Sequence, residues 1–240
     1  MRYAIFGDIH ANLEAFQTVL ADASANGVTH YVCLGDVVGY NADPTACLKI
    51  VQDLECPVVK GNHDEQACEN SPLAYFNPLA AHAIQWTRDQ LSPEQKDWLR
   101  SLKFFRLVRN FTIVHATLDS PGSWGYVMTD LDASASFGYQ HTQLCFYGHT
   151  HVPRAFMRDT RVTELEPMLI TMEAGKKYFV NPGSVGQPRN GDWRAAYILY
   201  TPATQTLEWR RLEYDILTAQ QKIRAAGLPE RLALRLAEGC

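Results

Sequence analysis

Gly148-His149-Thr150-His151 sets two imidazoles one residue apart, straight after the apolar run Leu144-Cys145-Phe146-Tyr147 and just ahead of Pro153. A strand that stops at glycine and turns can bring both rings to one point, whereas a helix would need its paired histidines four residues apart. Two satisfied surface histidines would look the same in isolation. Six further polar residues follow a glycine or an apolar run in the same way: Asp8, His10, Asp36, Asn62, His63 and His115. Each has a plain reading of its own, since Asp8 or Asp36 can close a turn or cap a helix, Asn62 can sit in a turn and His115 can be a core histidine. Five of the eight histidines in the chain fall in this one set, which is hard to reconcile with eight separate structural roles. Carboxylate, amide and imidazole together suit Mn, Fe, Zn, Ni or Co, and not a thiolate zinc site or an all-oxygen calcium site. There are enough ligands for two divalent ions. Two ions about 3.5–4 Å apart under a shared carboxylate polarise a phosphoryl group, lower the pKa of a water and hold the leaving group in line.

The elements that must position these residues are short. Residues 3–6, 31–34 and 57–59 read as buried strands that end at Gly7-Asp8, Gly35-Asp36 and Gly61-Asn62-His63-Asp64. A helix over 13–25, capped by Asn12 and stopped by Gly27, lies between the first two, and another starts at Pro44. This alternation predicts a sheet with a parallel section and covered faces, in which ligands bind beyond the carboxyl ends of strands. Residues 78–102 read as helical, with Ser92-Pro93-Glu94-Gln95 as a capping-box start. Residues 104–108 and 111–114 suggest a hairpin across Arg109-Asn110, and the second strand runs into His115. A Pro-, Gly- and Ser-rich loop at 119–125 carries Trp124, and a short helix is expected over 131–137. Strands follow at 155–158, 168–172 and 178–180, the last closed by Asn181-Pro182-Gly183-Ser184. Residues 195–200 and 206–212 pair, and helices over 216–226 and onward to Glu238 finish the chain. With no linker or repeat in view, residues 1–240 are expected to form one domain of two packed sheets flanked by helices.

Composition narrows the function. A net charge of −4 gives no basic footprint, so a stable nucleic-acid partner is not expected, although a nucleotide held at a local site is compatible with it. No apolar run approaches a membrane span, and the short stretch before Gly7 is no signal peptide, so a cytoplasmic protein without a membrane partner is expected. The six cysteines are scattered without a C-x-x-C pair and read as small core residues in a reducing compartment.

Gly7-Asp8-Ile9-His10, Gly35-Asp36, Gly61-Asn62-His63-Asp64, Val114-His115-Ala116 and Gly148-His149-Thr150-His151 stand in the order of the calcineurin-like metallophosphoesterases. The likeness runs from Met1 to about Arg189. It is strongest to the small bacterial and archaeal phosphodiesterase branch, which also carries an Asn-Pro-Gly-Ser turn. The resemblance implies a four-layer α-β-β-α sandwich of two mixed sheets flanked by helices. It implies that Asp8, His10 and His151 bind a first metal, Asn62, His115 and His149 a second, and that Asp36 bridges. His63 would donate a hydrogen bond to the phosphoryl group or protonate the leaving oxygen, tuned to titrate near neutral pH, with Asp64 orienting it.

The activity implied is hydrolysis of a small phosphate ester, most readily a diester, with a metal-bound hydroxide as nucleophile. Two departures bear on substrate. The protein phosphatases of this superfamily carry Asp-Arg-Gly after their second motif, but Asp36 here leads into Val37-Val38-Gly39-Tyr40, and no arginine closely follows Asn62-His63-Asp64. Some phosphodiesterase-branch members have Cys where this chain has His63, and the histidine widens the chemistry towards monoesters. Arg189, in Gly186-Gln187-Pro188-Arg189, is the candidate for the missing phosphate contact, alongside Asn62 and His63. Trp124 is a candidate platform for a base or aryl group, with core packing as its other reading. His30, His82 and His141 lie outside the motifs and read as structural. The alternatives are a phosphomonoesterase, or a protein or nucleotide phosphatase, on the same site. A non-catalytic interaction module of the same fold, like the retromer subunit, is a further alternative, but such scaffolds tend to lose catalytic histidines. A metallo-β-lactamase-type hydrolase would need a dense His-x-His-x-Asp-His run that is absent.

Overall fold

Along β1 (Tyr3–Phe6) every residue is buried, so the strand must be covered on both faces. Tyr3 and Ile5 point one way, Ala4 and Phe6 the other. In the computed structural model, which describes residues 1–74 and 76–240, β1 is the second strand of a five-stranded sheet. It pairs in parallel with β2 (His30–Cys33) and antiparallel with β10 (Ala195–Thr201); β11 (Thr206–Leu212) and β8 (Leu169–Thr171) complete the sheet. A second sheet of six strands runs β3 (Phe105–Val108), β4 (Phe111–Val114), β5 (Leu144–Phe146), β9 (Lys177–Asn181), β6 (Arg154–Arg158) and β7 (Val162–Leu165). Its central trio, β4, β5 and β9, is parallel.

The sheets meet face to face. Tyr3, Ile5, Val32 and Tyr200 of the first pack on Phe111, Ile113, Leu144 and Phe146 of the second. The Phe111 ring stands edge-on to Tyr3, Phe146 and Tyr200 at 5.3, 5.5 and 5.7 Å. Emptying so crowded a position by Phe111→Ala is expected to remove about 3–5 kcal/mol of stability. On the outer face of the first sheet, Ala4 and Phe6 share a core with α1 (Leu13–Ala25), α2 (Pro44–Asp53), α4 (Pro78–Gln90), α7 (Ile216–Ala225) and α8 (Glu230–Glu238). The outer face of the second presents Cys145, Tyr147 and Phe179 to α6 (Asp130–Tyr139). The result is the α-β-β-α order that the resemblance implies.

Local chemistry sets several boundaries. Asn12 accepts from the Ala15 N–H to start α1, and Ser92 and Gln95 close a reciprocal box that starts α5 (Pro93–Ser101). Three expectations need correction. Residues 57–59 form only isolated bridges, Cys33 to Val58 and Val59 to Lys103, because Pro57 has no N–H to give and only two apolar residues follow it. Asn62 and His63 therefore do not end a strand; they open the short helix α3 (Asn62–Cys68). Strand β7 has no counterpart in the sequence reading, since Val-Thr-Glu-Leu on a half-exposed edge leaves no apolar run to see.

Candidate metal centre

The carboxyl ends of β1, β2, β4, β5 and β9 open on one edge of the sandwich. The loops there are fastened to one another through backbone bonds: Asp8 N–H donates to the Gly35 carbonyl (3.0 Å), His10 N–H to Asp36 (2.9 Å) and Ala11 N–H to Val37 (2.9 Å). Two motif glycines are needed for close approach. A Cβ on Gly61 would lie 2.1 Å from Asp36 Oδ1, and one on Gly148 would lie 2.8 Å from Asp8 Oδ2. The Asn181-Pro182-Gly183-Ser184 turn holds the ensemble from behind. Asn181 Nδ2 donates to the Gly148 carbonyl (2.7 Å) and to Thr150 Oγ1 (3.0 Å), while Ser184 Oγ donates to the Asp8 carbonyl (2.8 Å).

These ties bring Asp8, His10, Asp36, Asn62, His115, His149 and His151 together. A carbonyl can only accept, so each histidine's partner reveals which ring nitrogen is bare. His10 Nδ1 donates to Val38 (3.0 Å) and His151 Nδ1 to Gln187 (2.6 Å), leaving Nε2 of each as a lone pair, while His115 Nδ1 donates to Leu34 (2.7 Å) and its Nε2 faces Asn62 Oδ1 and Asp36. His149 is turned the other way, with Nε2 donating to the Trp124 carbonyl (2.9 Å) and Nδ1 bare. The bare Nε2 atoms of His10 and His151 face each other at 3.0 Å, with Asp8 Oδ1 3.3 Å from the latter. Two lone pairs cannot bond to each other; a cation among them satisfies all three groups. Asp36 Oδ2 is buried without a hydrogen-bond partner among the described residues, 3.5 Å from His10 Nε2 and 3.4 Å from His115 Nε2. It stands between two sets of donors, Asp8, His10, Asp36 and His151 in one and Asp36, His115 and His149 in the other. In each set the donor atoms lie within 4.8 Å of one another. Asn62 Oδ1, 3.3 Å from His115 Nε2, adds an amide oxygen to the second. The residues present fit divalent cations of the borderline class.

Burial keeps most of these rings neutral, the form that ligates. It holds His10 and His151 well below the ordinary imidazole range and takes His149 to about 4. His115 is the exception: burial would lower it, but the charge of Asp36 beside it prevails and pushes it up to about 9.

His63 lies at the cleft, its ring 4.7 Å from that of His10 and 4.4 Å from that of Tyr40. Its backbone N–H donates to Asp36 Oδ1 (2.8 Å), and its Nδ1 is buried without a partner. Burial, against the pull of Asp36 and with the push of Arg189, lowers it to about 4. It is thus a neutral imidazole in the resting site, and not the group poised near neutral pH that the sequence suggests. Asp64 also differs from expectation. Its Oδ1 accepts from Val37 N–H (2.9 Å) and Val38 N–H (3.3 Å), and its Oδ2 from Gly61 N–H (3.1 Å). The carboxylate ties the start of α3 to the turn after Asp36, and does not grip the His63 ring.

Above this floor opens a cleft of about 400 Å³, walled by Tyr40, Phe76, Trp124, Tyr126 and Arg189. Trp124 serves neither of its two expected roles alone. Its indole N–H donates to Glu65 (3.1 Å), its face lines the cleft and its carbonyl holds His149. Arg189 donates to Gln187 Oε1 (3.0 Å) and the Tyr40 hydroxyl (3.3 Å) and faces the cleft. His30 packs on the Tyr3 ring, and His82 and His141 are exposed; none of the three belongs to either donor set. Sequence reasoning passed over Tyr40, Asn41 (whose Nδ2 donates to the His10 carbonyl, 2.7 Å), Phe76 and Tyr126, and saw Asn181 and Ser184 only as a turn. The proximity of Gly39-Tyr40-Asn41 to Asp36 was the one available signal.

The profile of the calcineurin-like phosphoesterase superfamily domain matches residues 1–204. An uncharacterized protein of Methanocaldococcus jannaschii is 37% identical over 238 residues, covering 97% of this chain and 96% of that one. The crystal structure of a metallophosphoesterase from Sphaerobacter thermophilus superposes with a TM-score of 0.89 at 38% identity, over 100% of this chain and 99% of that one. A hypothetical protein from Pyrococcus horikoshii shares the fold, with a TM-score of 0.81 at 18% identity over 100% and 98% of the two chains. The chain belongs to the calcineurin-like phosphoesterase superfamily.

Proposed function

We propose that this protein is a metal-dependent phosphoric ester hydrolase acting on small phosphodiesters. The observation that carries the reading is the pair of bare imidazole nitrogens of His10 and His151, 3.0 Å apart beside Asp8, next to the unpartnered oxygen of Asp36. Asp8, His10 and His151 would hold one divalent cation, Asn62, His115 and His149 a second, and Asp36 would reach both. When bound, such a pair neutralises phosphoryl charge and makes water a nucleophile at neutral pH. The protein's own groups do the rest. His63, neutral at rest, can donate a hydrogen bond to a phosphoryl oxygen; the approach of an anion favours its protonated form, which can then pass a proton to the leaving oxygen. Arg189 supplies a guanidinium for a non-bridging oxygen. Phe76, Trp124 and Tyr126 offer apolar faces to a flat leaving group.

Diesters are favoured over phosphoproteins because the turn after Asp36 carries no arginine and Arg189 is the one guanidinium lining the cleft among the described residues. A phosphomonoesterase or nucleotide phosphatase is the second reading, supported by the presence of His63 within the cleft. The full donor set argues against an interaction module without catalysis. No helix among the described residues is long and apolar enough to cross a membrane; we place the protein in the cytoplasm. Manganese is the first metal to try. Chelated protein should be inactive on bis-p-nitrophenyl phosphate and regain turnover when Mn is added back. A metal-loaded protein that turns over no phosphate ester would refute the assignment.

A further inference from the structure

We infer that Glu65 is a positioning residue for the second cation: its carboxylate holds the Trp124 indole, and the Trp124 carbonyl in turn aims the His149 ring. The inference rests on the two-cation reading above and adds to it a latch that lies outside both donor sets.

A backbone carbonyl aims each of the four ligand histidines. Three of those carbonyls, on Leu34, Val38 and Gln187, belong to buried residues of the floor. The fourth belongs to Trp124, on the loop that joins β4 to α6, where Gly122, Ser123 and Tyr126 are exposed. The His149 backbone N–H is already fixed by Asp8 (3.1 Å), so the swing of its ring is what the loop controls. That dependence falls on one cation only. His149 belongs to the set with Asp36 and His115, and Asn62 adds its oxygen there. This set is also the more open of the two, since Asn62 and His149 keep 9% and 5% of their surface in solvent.

Such a loop needs its own anchor. Between Pro121 and Tyr126, the hydrogen bonds that tie it to the rest of the described residues are both at Trp124. The carbonyl accepts from His149 Nε2 (2.9 Å), and the indole N–H donates to Glu65 Oε2 (3.1 Å). Trp124 has a left-handed backbone, φ 56°, a conformation that surrounding contacts must hold in place. Its indole packs on the rings of Phe104 (5.6 Å) and His115 (5.8 Å). Ring contacts are non-directional and let the indole slide; the directional N–H bond fixes how far it inserts, and so where the carbonyl stands. Glu65 is placed for this task. It follows Asn62-His63-Asp64 on α3, is half-buried and makes no ion pair among the described residues. Burial pushes its carboxyl above the usual range, against the bond from Trp124. A carboxylate drawn partly out of water without a counter-charge is costly unless a donor meets it, and the indole is that donor. Helix α3 thus supplies one donor of the second set directly, Asn62, and steers another, His149, through Trp124.

The test is a manganese titration of the full chain by calorimetry, read without substrate. His149→Ala, which removes a donor of the second set, identifies the second site in the titration. Glu65→Ala should weaken that site about tenfold and leave the first unchanged, a loss of the size seen when a ligand histidine's own support is removed. Glu65→Gln keeps an acceptor for the indole N–H and should stay within about threefold of wild type. Trp124→Phe keeps the carbonyl but has no N–H to give; it should match Glu65→Ala, and the double variant should be no weaker than either single one. Wild-type affinity at both sites in Glu65→Ala overturns the inference. So does an equal loss at both sites, the mark of a merely structural role. A Glu65→Gln protein as weak as Glu65→Ala overturns it too, since charge and not the bond to the indole would then be the cause. Should Glu65→Ala fail to fold, Trp124→Phe decides by the same criterion. A wild type that binds two cations but hydrolyses no phosphate ester would strike the hydrolase reading alone.

Discussion

Asp8, His10, Asp36 and His151 on the floor of the cleft are at most 1% exposed, and all four hold left-handed backbone angles, with φ between 48° and 60°. Phe76, Tyr126 and Arg189 on its rim keep part of their surface in solvent and have ordinary backbone angles. Left-handed non-glycine residues cost on the order of 1 kcal/mol or more each, and persist only where surrounding contacts over-determine them. Of the eleven such residues described, eight (Asp8, His10, Ala11, Asp36, Tyr40, Trp124, His149 and His151) lie at the centre or its walls. The floor is thus held in a strained shape by loop-to-loop hydrogen bonds, as a fixed set of donors must be. Phe76, Tyr126 and Arg189 are relaxed and free to differ with the ester, whereas Tyr40 and Trp124 in the same wall share the backbone strain of the floor. On this view the floor determines the reaction and the rim determines what is admitted.

The contrast can be broken most forcefully at Asp36. Asp36→Asn should release both cations together and lower turnover on the order of a thousandfold. Elemental analysis that finds one cation retained would remove Asp36 from its shared position. His63→Ala comes next. Its metal content should stay at the wild-type level while kcat falls roughly a hundredfold to ten-thousandfold, as for loss of a general acid. Loss of metal in that variant would make His63 a ligand. On the rim, Tyr126→Ala should leave kcat intact. Its 4.4 Å contact with the His149 ring and 55% exposure make it a surface for the leaving group. KM for p-nitrophenyl diesters should rise about fivefold, a loss of the size expected for one aromatic contact, with little change for methyl esters. A fall in kcat alone would place Tyr126 with the floor.

The smallest effect is a control far from both. Asp22 accepts from Arg210 (2.9 and 3.1 Å) and from the Tyr197 hydroxyl (2.6 Å). Partial burial pushes its carboxyl up, but these bonds prevail and hold it below the usual carboxylate range. A depressed folded pKa means stability that is present above the unfolded value of about 4 and lost as pH falls through the folded one. Asp22→Asn should therefore lower stability by about 1 kcal/mol at pH 7, flatten the acid side of the melting-temperature profile and leave kcat/KM unchanged. A profile as steep as wild type would show that other carboxylates carry the acid transition.

The floor was legible in the sequence because its parts are short and local. Gly-Asp after an apolar run, or Gly-His-Thr-His, marks a strand end wherever the chain is read, and close approach of two loops needs glycine at Gly61 and Gly148. The layers were legible too, since the unbroken apolar runs of β1 and β10 demand cover on both faces. What each floor residue does to its neighbours was less so. Asp64 looks like a partner for His63, but backbone amides of a distant turn claim it first. His63 looks tunable to neutral pH, yet burial outweighs the carboxylate beside it. The rim was nearly invisible. Phe76 precedes α4 and Tyr126 follows a loop, and no spacing links them.

The central claim is that two sets of donors, sharing Asp36, each hold a cation. Anomalous diffraction from crystals grown with manganese tests it most directly. The account predicts two peaks about 3.5–4 Å apart, one among Asp8, His10, Asp36 and His151, the other among Asp36, Asn62, His115 and His149. A single peak, or manganese bound away from these residues, would contradict it.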